Sequence, residues 1–181
     1  MLIAKKKRKE NIGEYLLYMF QIEDLLRACQ FNPQLIEERL ITQYQTDETT
    51  KFEIRNWYLG LAELMEEEKL QTNGHLSFIQ NIFTEVFDFH LYLLSHEDYA
   101  DYQLSYKKIA SLVKQLKDNS RNQHKNEIEL MVTLIYTLFV TKLKNKEVPG
   151  QMQQMVVKLS GLLAQLSKKF SDYELGLLKI E

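Results

Sequence analysis

The chain of 181 residues is poor in everything that cross-links or punctuates a polypeptide, with one cysteine, two prolines and six glycines. A lone Cys29 cannot close an intramolecular disulfide. Because it falls on an apolar helical face, we read it as a small core residue of a protein kept in a reducing compartment. So few breakers, in a sequence rich in Leu, Lys, Glu and Gln, exclude a sandwich or barrel built on many tight turns and leave long helices. Charge of one sign is also lacking. A net charge of −2 and a pI near 6.1 supply no global attraction to nucleic acid or acidic membranes. No hydrophobic run reaches the roughly 18 residues of a membrane span. The most apolar stretch, Ile128 to Val140, contains Glu129 and is flanked by charges, so it reads as a buried helix. The basic opening Met1 to Lys9 is followed by Glu10, Asn11, Glu14, Glu23 and Asp24, where an export signal would need an unbroken apolar core.

What is present is helical periodicity. Between Asn11 and Gln30, Ile12, Leu16, Met19 and Leu26 form a stripe interrupted only by Glu23, and Tyr15, Tyr18, Ile22, Leu25 and Cys29 widen it. A face that broad places this helix between several others. Asn32 before Pro33 signals the start of a short second helix with Leu35, Ile36, Leu40 and Ile41 inward. Thr50 and Glu53 have capping-box spacing ahead of a third helix carrying Ile54, Trp57, Tyr58, Leu61, Leu64 and Met65, which the solvated run Glu66 to Glu68 ends. Asn73 and Gly74 mark a turn. The seam Leu76, Ile79, Phe83, Val86 and Leu93 follows, with His90 set in it.

A fifth helix carries Tyr99, Tyr102, Tyr106, Ile109, Val113 and Leu116, its tyrosines packed ring-inward with hydroxyls at the wet edge or, alternatively, lining a groove. After a polar break at Asp118 to Lys125, Ile128 to Phe139 reads as a core helix. Val148, Pro149 and Gly150 precede a last long helix from Met152 to Phe170, and the tail Leu175 to Ile180 is apolar for a terminus.

The block Lys5 to Lys9 is dense enough to hold phosphate, but no aromatic residue interleaves it, so a solvated lead-in is the expectation and nucleic-acid binding is not. A dimetal bundle needs Glu and His three residues apart on two helices, and no Glu here has a His at that spacing. His75, His90, His96 and His124 share no helical face. Nucleophile elbow, phosphate-cradling loop and dinucleotide fingerprint are all missing, so the enzyme reading has no anchor and no cofactor or metal is expected. Glu23 and His90 remain as ionisable exceptions within apolar seams. They are either edge residues satisfied by water or a buried carboxylate–imidazole pair, facing each other across two helices and fixing register or lining a small cavity.

The segments Lys7-Arg8-Lys9-Glu10-Asn11-Ile12, Glu14-Tyr15-Leu16-Leu17-Tyr18-Met19, Gln21-Ile22-Glu23-Asp24, Gly74-His75-Leu76 and His90-Leu91 together resemble a domain-of-unknown-function family of small helical proteins from Bacteroides-type bacteria. The resemblance implies a bacterial cytoplasmic protein and assigns no activity, ligand or catalytic residue. The expected molecule is therefore all-α, a single-domain antiparallel bundle of about six long helices and one short one. Its expected function is non-enzymatic, through a homodimer or a protein partner, with a small-molecule ligand near Glu23 and His90 as the alternative.

Overall fold

The computed structural model describes residues 2–119 and 125–178, and it is an all-α bundle with no strand among the described residues. In chain order the helices are α1 (Leu2–Glu10), α2 (Ile12–Ala28), α3 (Pro33–Ile36), α4 (Glu48–Glu67), α5 (Ser77–Ser95), α6 (Ala100–Lys107), α7 (Ala110–Asn119), α8 (Glu127–Leu143) and α9 (Gly150–Glu174). A π turn, Glu37–Ile41, extends α3, and a 3-10 turn, Glu97–Tyr99, precedes α6.

The breadth of the α2 apolar face has the expected consequence, since this helix packs on α1, α4, α8 and α9. Leu16, Met19, Ile22 and Leu26 are fully or almost fully buried in a core that also receives Phe83 and Val86 of α5, Met131 and Val132 of α8, and Leu159 and Leu166 of α9. Burial of that kind contributes about 1.5–3 kcal/mol per large apolar side chain. Cys29 is buried beside them, as its position implies.

The basic lead-in forms a helix of its own, α1, and one helix expected to be continuous is divided. Asn11 separates α1 from α2 because it serves both: its amide donates to the Lys7 carbonyl at 2.8 Å, and its side-chain oxygen accepts from the Glu14 amide at 3.0 Å. The expected fifth helix breaks at Lys108 and Ile109, giving α6 and α7. Asn32 caps α3 with Pro33 in the first turn, as expected. The α4 cap is not Thr50. Asp47 holds that position, accepting from the Thr50 amide at 2.9 Å and its hydroxyl at 2.7 Å, and those hydrogen bonds hold its carboxyl below the usual range.

At Gly13 α2 approaches α9 closely. A Cβ there would lie 2.8 Å from Leu163 Cγ and 2.9 Å from Ser167 Oγ, so the contact requires glycine. The Gly13 amide donates to that same Ser167 hydroxyl at 3.0 Å. At the other end of α9 the chain turns back through Gly176 (φ 70°), and Leu178 packs against the core while Leu175 and Leu177 stay exposed. The rest of the expected apolar tail, 179–180, lies outside the described residues, as do His124 and most of the polar break from 118 to 125.

The expectation for α8 holds through Leu138, which is buried, but not for Phe139. Ile128, Met131 and Val132 are buried, but Phe139 is 44% exposed and Leu143 62%. No helix among the described residues is long and apolar enough to cross a membrane.

Candidate functional site

Glu23 and His90 are both completely buried, but they do not meet. Each sits in its own polar cluster, and α5 passes through both.

The first cluster joins α2 to the connector between α4 and α5. Glu23 Oε2 lies 2.6 Å from His75 Nδ1, and its Oε1 accepts from the Leu76 backbone amide at 2.9 Å. The His75 ring stacks on Phe20, with centroids 3.7 Å apart and planes within 6°. One turn along, Arg27 Nε donates to the Leu70 carbonyl at 2.9 Å, a second guanidinium nitrogen donates to the Gly74 carbonyl, and a third pairs with Asp24 at 2.9 Å. Tyr136 of α8 donates to the other Asp24 oxygen at 2.7 Å. Phe20, Glu23, Asp24 and Arg27 follow the three- and four-residue intervals of one helical face. That face of α2 therefore grips the connector.

The grip explains how α5 starts without a cap of its own. Leu76 occupies the cap position and has no side-chain acceptor to offer. Carboxylates from two other helices substitute: Glu23 on the Leu76 amide, and Glu68 on the Ser77 amide and hydroxyl at 2.7 and 2.8 Å. Negative charge at a helix N-terminus is the favourable sign. Glu68, expected to be part of a solvated acidic run, instead helps to position α5.

The second cluster is made entirely of side chains, from α5, α6 and α8. His90 Nε2 lies 2.6 Å from Glu127 Oε1, and His90 Nδ1 lies 2.6 Å from the Tyr102 hydroxyl. Tyr106 donates to the second Glu127 oxygen at 2.8 Å. A carboxylate only accepts, so Nε2 carries the proton toward Glu127, and in the neutral ring Nδ1 accepts from Tyr102. Burial pushes the Glu127 carboxyl up, but hydrogen bonds from His90 and Tyr106 outweigh it and leave it below the ordinary glutamate value. Asn126, which caps α8, also reaches the Phe83 carbonyl at 3.3 Å.

The order hydroxyl, imidazole, carboxylate is that of a general-base relay. Here the hydroxyl and the imidazole are both buried. Tyr102 is fully buried, and desolvation together with the Glu127 charge pushes its phenol far above the usual tyrosine range. The buried hydroxyl is held against His90, and the cluster ties three helices together. The expected Glu23–His90 pair is thus corrected: each has a nearer partner, and every polar atom of both side chains is already bonded within the protein.

His75, Glu127, Tyr102 and Tyr106 are the partners that sequence reasoning did not assign. The two tyrosines, four residues apart on one face, carried the clearest signal, and their hydroxyls point into the polar cluster rather than to a wet edge. Among the described residues no group of three or more His, Cys, Asp or Glu side chains is placed to hold a metal ion.

A family model matches residues 1–176. The chain belongs to the DUF4924 family, a domain of unknown function. The match covers both clusters of this DUF4924 chain, the α1 basic block and the whole of α9. Neither the curated proteins nor the solved structures contain a match to it.

Proposed function

We propose that this DUF4924 protein is a non-enzymatic helical module of the bacterial cytoplasm that acts by self-association, through a groove between α2, α8 and α9. The observation that carries the reading is a continuous apolar concavity. Two adjoining stretches of about 250 and 200 Å³ share Glu14, Leu17 and Ile135, with Phe139 on one flank and Leu163 and Ala164 on the other. Exposed Phe139 and half-buried Leu17 and Ile135 leave apolar surface in water that an interface would cover.

A second copy is the occupant favoured by charge. The charged lining residues described for this groove, Lys7 and Glu14, neutralise each other at 2.7 Å, and the whole chain carries only −2. Two like surfaces therefore meet without the repulsion that would reject a self-complementary contact. Reversing that condition is the test. Light scattering from micromolar to millimolar chain should give dimer, and Phe139→Glu should shift it to monomer while circular dichroism stays helical. Monomer throughout overturns self-association; if a lysate partner is then captured and lost with Phe139→Glu, the groove serves another protein. A cytoplasmic setting is supported by the lone buried Cys29 thiol, which calls for no oxidising compartment. The alternative of a ligand beside Glu23 and His90 is less favoured, because each polar atom of both side chains already has a protein partner.

A further inference from the structure

The largest concavity described lies away from that groove, where α1, the start of α2, the middle of α4 and the end of α9 converge. It has a volume of about 590 Å³, within the roughly 300–1,000 Å³ of small-molecule sites. Lys5, Arg8 and Lys9 line one side, and Tyr15 and Trp57 are among the other lining residues. The sequence offered the basic block without an aromatic neighbour; the fold brings α2 and α4 aromatics to it.

The three cations are not equivalent. Arg8 is committed: it pairs with Glu174 at 2.8 Å and lies 5.6 Å over the Phe170 ring, so the one acidic residue lining the cleft is neutralised by it. Lys5 and Lys9, one helical turn apart, have no ion-pair partner among the described residues. The rim therefore carries two surplus positive charges. Trp57 is half-buried and braced, stacked on Tyr18 at 6.5 Å between centroids and edge-on to Tyr58 at 5.0 Å, so its ring is held in place rather than free to collapse.

The geometry points to a binding site for a small phosphorylated ligand with a planar aromatic ring, a nucleoside mono- or diphosphate, its phosphate on Lys5 and Lys9 and its base against Trp57. Lysine ammonium groups suit phosphate, and a base gains about 1–3 kcal/mol by stacking on an aromatic ring. A polynucleotide would need the positive charge to continue as a stripe, whereas Glu174 lines the same cleft and takes up the charge of Arg8. A membrane surface would be met by a protruding patch, whereas here the aromatic rings sit inside a concavity.

Trp57 is the only tryptophan, so its fluorescence reports on the site directly. With excitation at 295 nm, titration of the full chain with ADP and with GDP should quench it saturably. Adenosine and inorganic phosphate, each carrying half of the chemistry, should bind at least tenfold more weakly. The exposed double change Lys5→Ala/Lys9→Ala should weaken ADP at least tenfold with an unchanged helical spectrum. Calorimetry of Trp57→Leu, which has no reporter ring, should show the same loss for ADP. No saturable signal with either nucleotide up to millimolar concentration overturns the proposal. It is also overturned if phosphate alone equals ADP, or if a single-stranded RNA oligomer or phosphatidylglycerol vesicles bind more tightly than the nucleotide.

Discussion

Glu23 and His90 are equally buried, yet one spends half of its hydrogen bonding on a backbone amide and the other is held by side chains alone. The difference decides what each can lose. A side-chain partner can be exchanged for an apolar group of similar shape, and the network then disappears with little left over. A backbone N–H cannot be mutated away. When its acceptor is removed it stays in place, desolvated and unbonded, and costs about 1–3 kcal/mol. The Glu23 cluster joins α2 to a connector and to a helix, α8, that are remote in sequence, whereas the His90 cluster ties α5, α6 and α8, which lie nearer one another along the chain.

The largest effect should therefore come from Glu23. Glu23→Leu strands the Leu76 amide, the His75 ring and the α5 N-terminus together, and we expect a loss of about 3–5 kcal/mol in urea unfolding. Adding His75→Leu should recover only a minor part, because the amide remains. Glu23→Gln, which retains an acceptor for that amide, should be milder than Glu23→Leu. If the double variant regained nearly full stability, the backbone bond would be the lesser element and the contrast with His90 would fail.

His90→Leu comes next, at about 2–3 kcal/mol, since it strands Tyr102 and one Glu127 oxygen. Here a second change should help. In His90→Leu/Tyr102→Phe the orphaned hydroxyl is gone, and the pair of changes should cost at least about 1 kcal/mol less than the sum of the two singles. Simple additivity would contradict a coupled side-chain network.

The Glu127 carboxyl gives the same cluster a pH signature. Its folded value lies below the ordinary one, so its stabilising contribution is fully present above the unfolded glutamate value. That contribution is lost as pH falls through the depressed folded value. The stability gap between the native chain and Glu127→Gln should be widest near neutrality and narrow on acidification below about pH 4.5, the ordinary glutamate value. A gap that widened toward acid would reverse the sign and remove the proposed role of the His90 and Tyr106 hydrogen bonds.

Periodicity placed Glu23 and His90 within apolar seams but left open whether they lay buried or at an edge, because it fixes only the angle of a residue around its own helix. It carries no information about which neighbour lies opposite. His75 stands in a turn, where no period exists, and Glu127 is the first residue of α8, ahead of the apolar run that announced that helix. The same limit applies to caps. Thr50 has the right spacing to Glu53, but Asp47 three residues earlier is the stronger acceptor and takes the Thr50 amide for itself. The break at Lys108 and Ile109 was hidden because the apolar intervals on either side of it remain helical. What was legible, the broad face of α2 and the Asn32–Pro33 start, rests on interactions within five residues or on burial from several sides.

The smallest effect expected here tests the backbone argument in isolation. Gly13, like Leu76, has its amide satisfied by a side chain remote in sequence, the Ser167 hydroxyl at 3.0 Å. No charge is involved, and Ser167 is almost fully buried, so water does not readily replace it. Ser167→Ala removes the acceptor without adding volume, and it should cost about 1 kcal/mol. Because the cost belongs to one stranded N–H, it should be accompanied by faster hydrogen exchange at the Gly13 amide than at the Glu14 amide, which keeps its Asn11 acceptor. Gly13→Ala supplies the steric control. Its new Cβ must displace Leu163 and Ser167, at about 1–3 kcal/mol for overpacking, even though alanine is the better helix former. Equal exchange at both amides in Ser167→Ala would show that the α2 N-terminus finds another acceptor. The cost of the Glu23 variants would then have to be assigned to charge and to His75 rather than to the backbone.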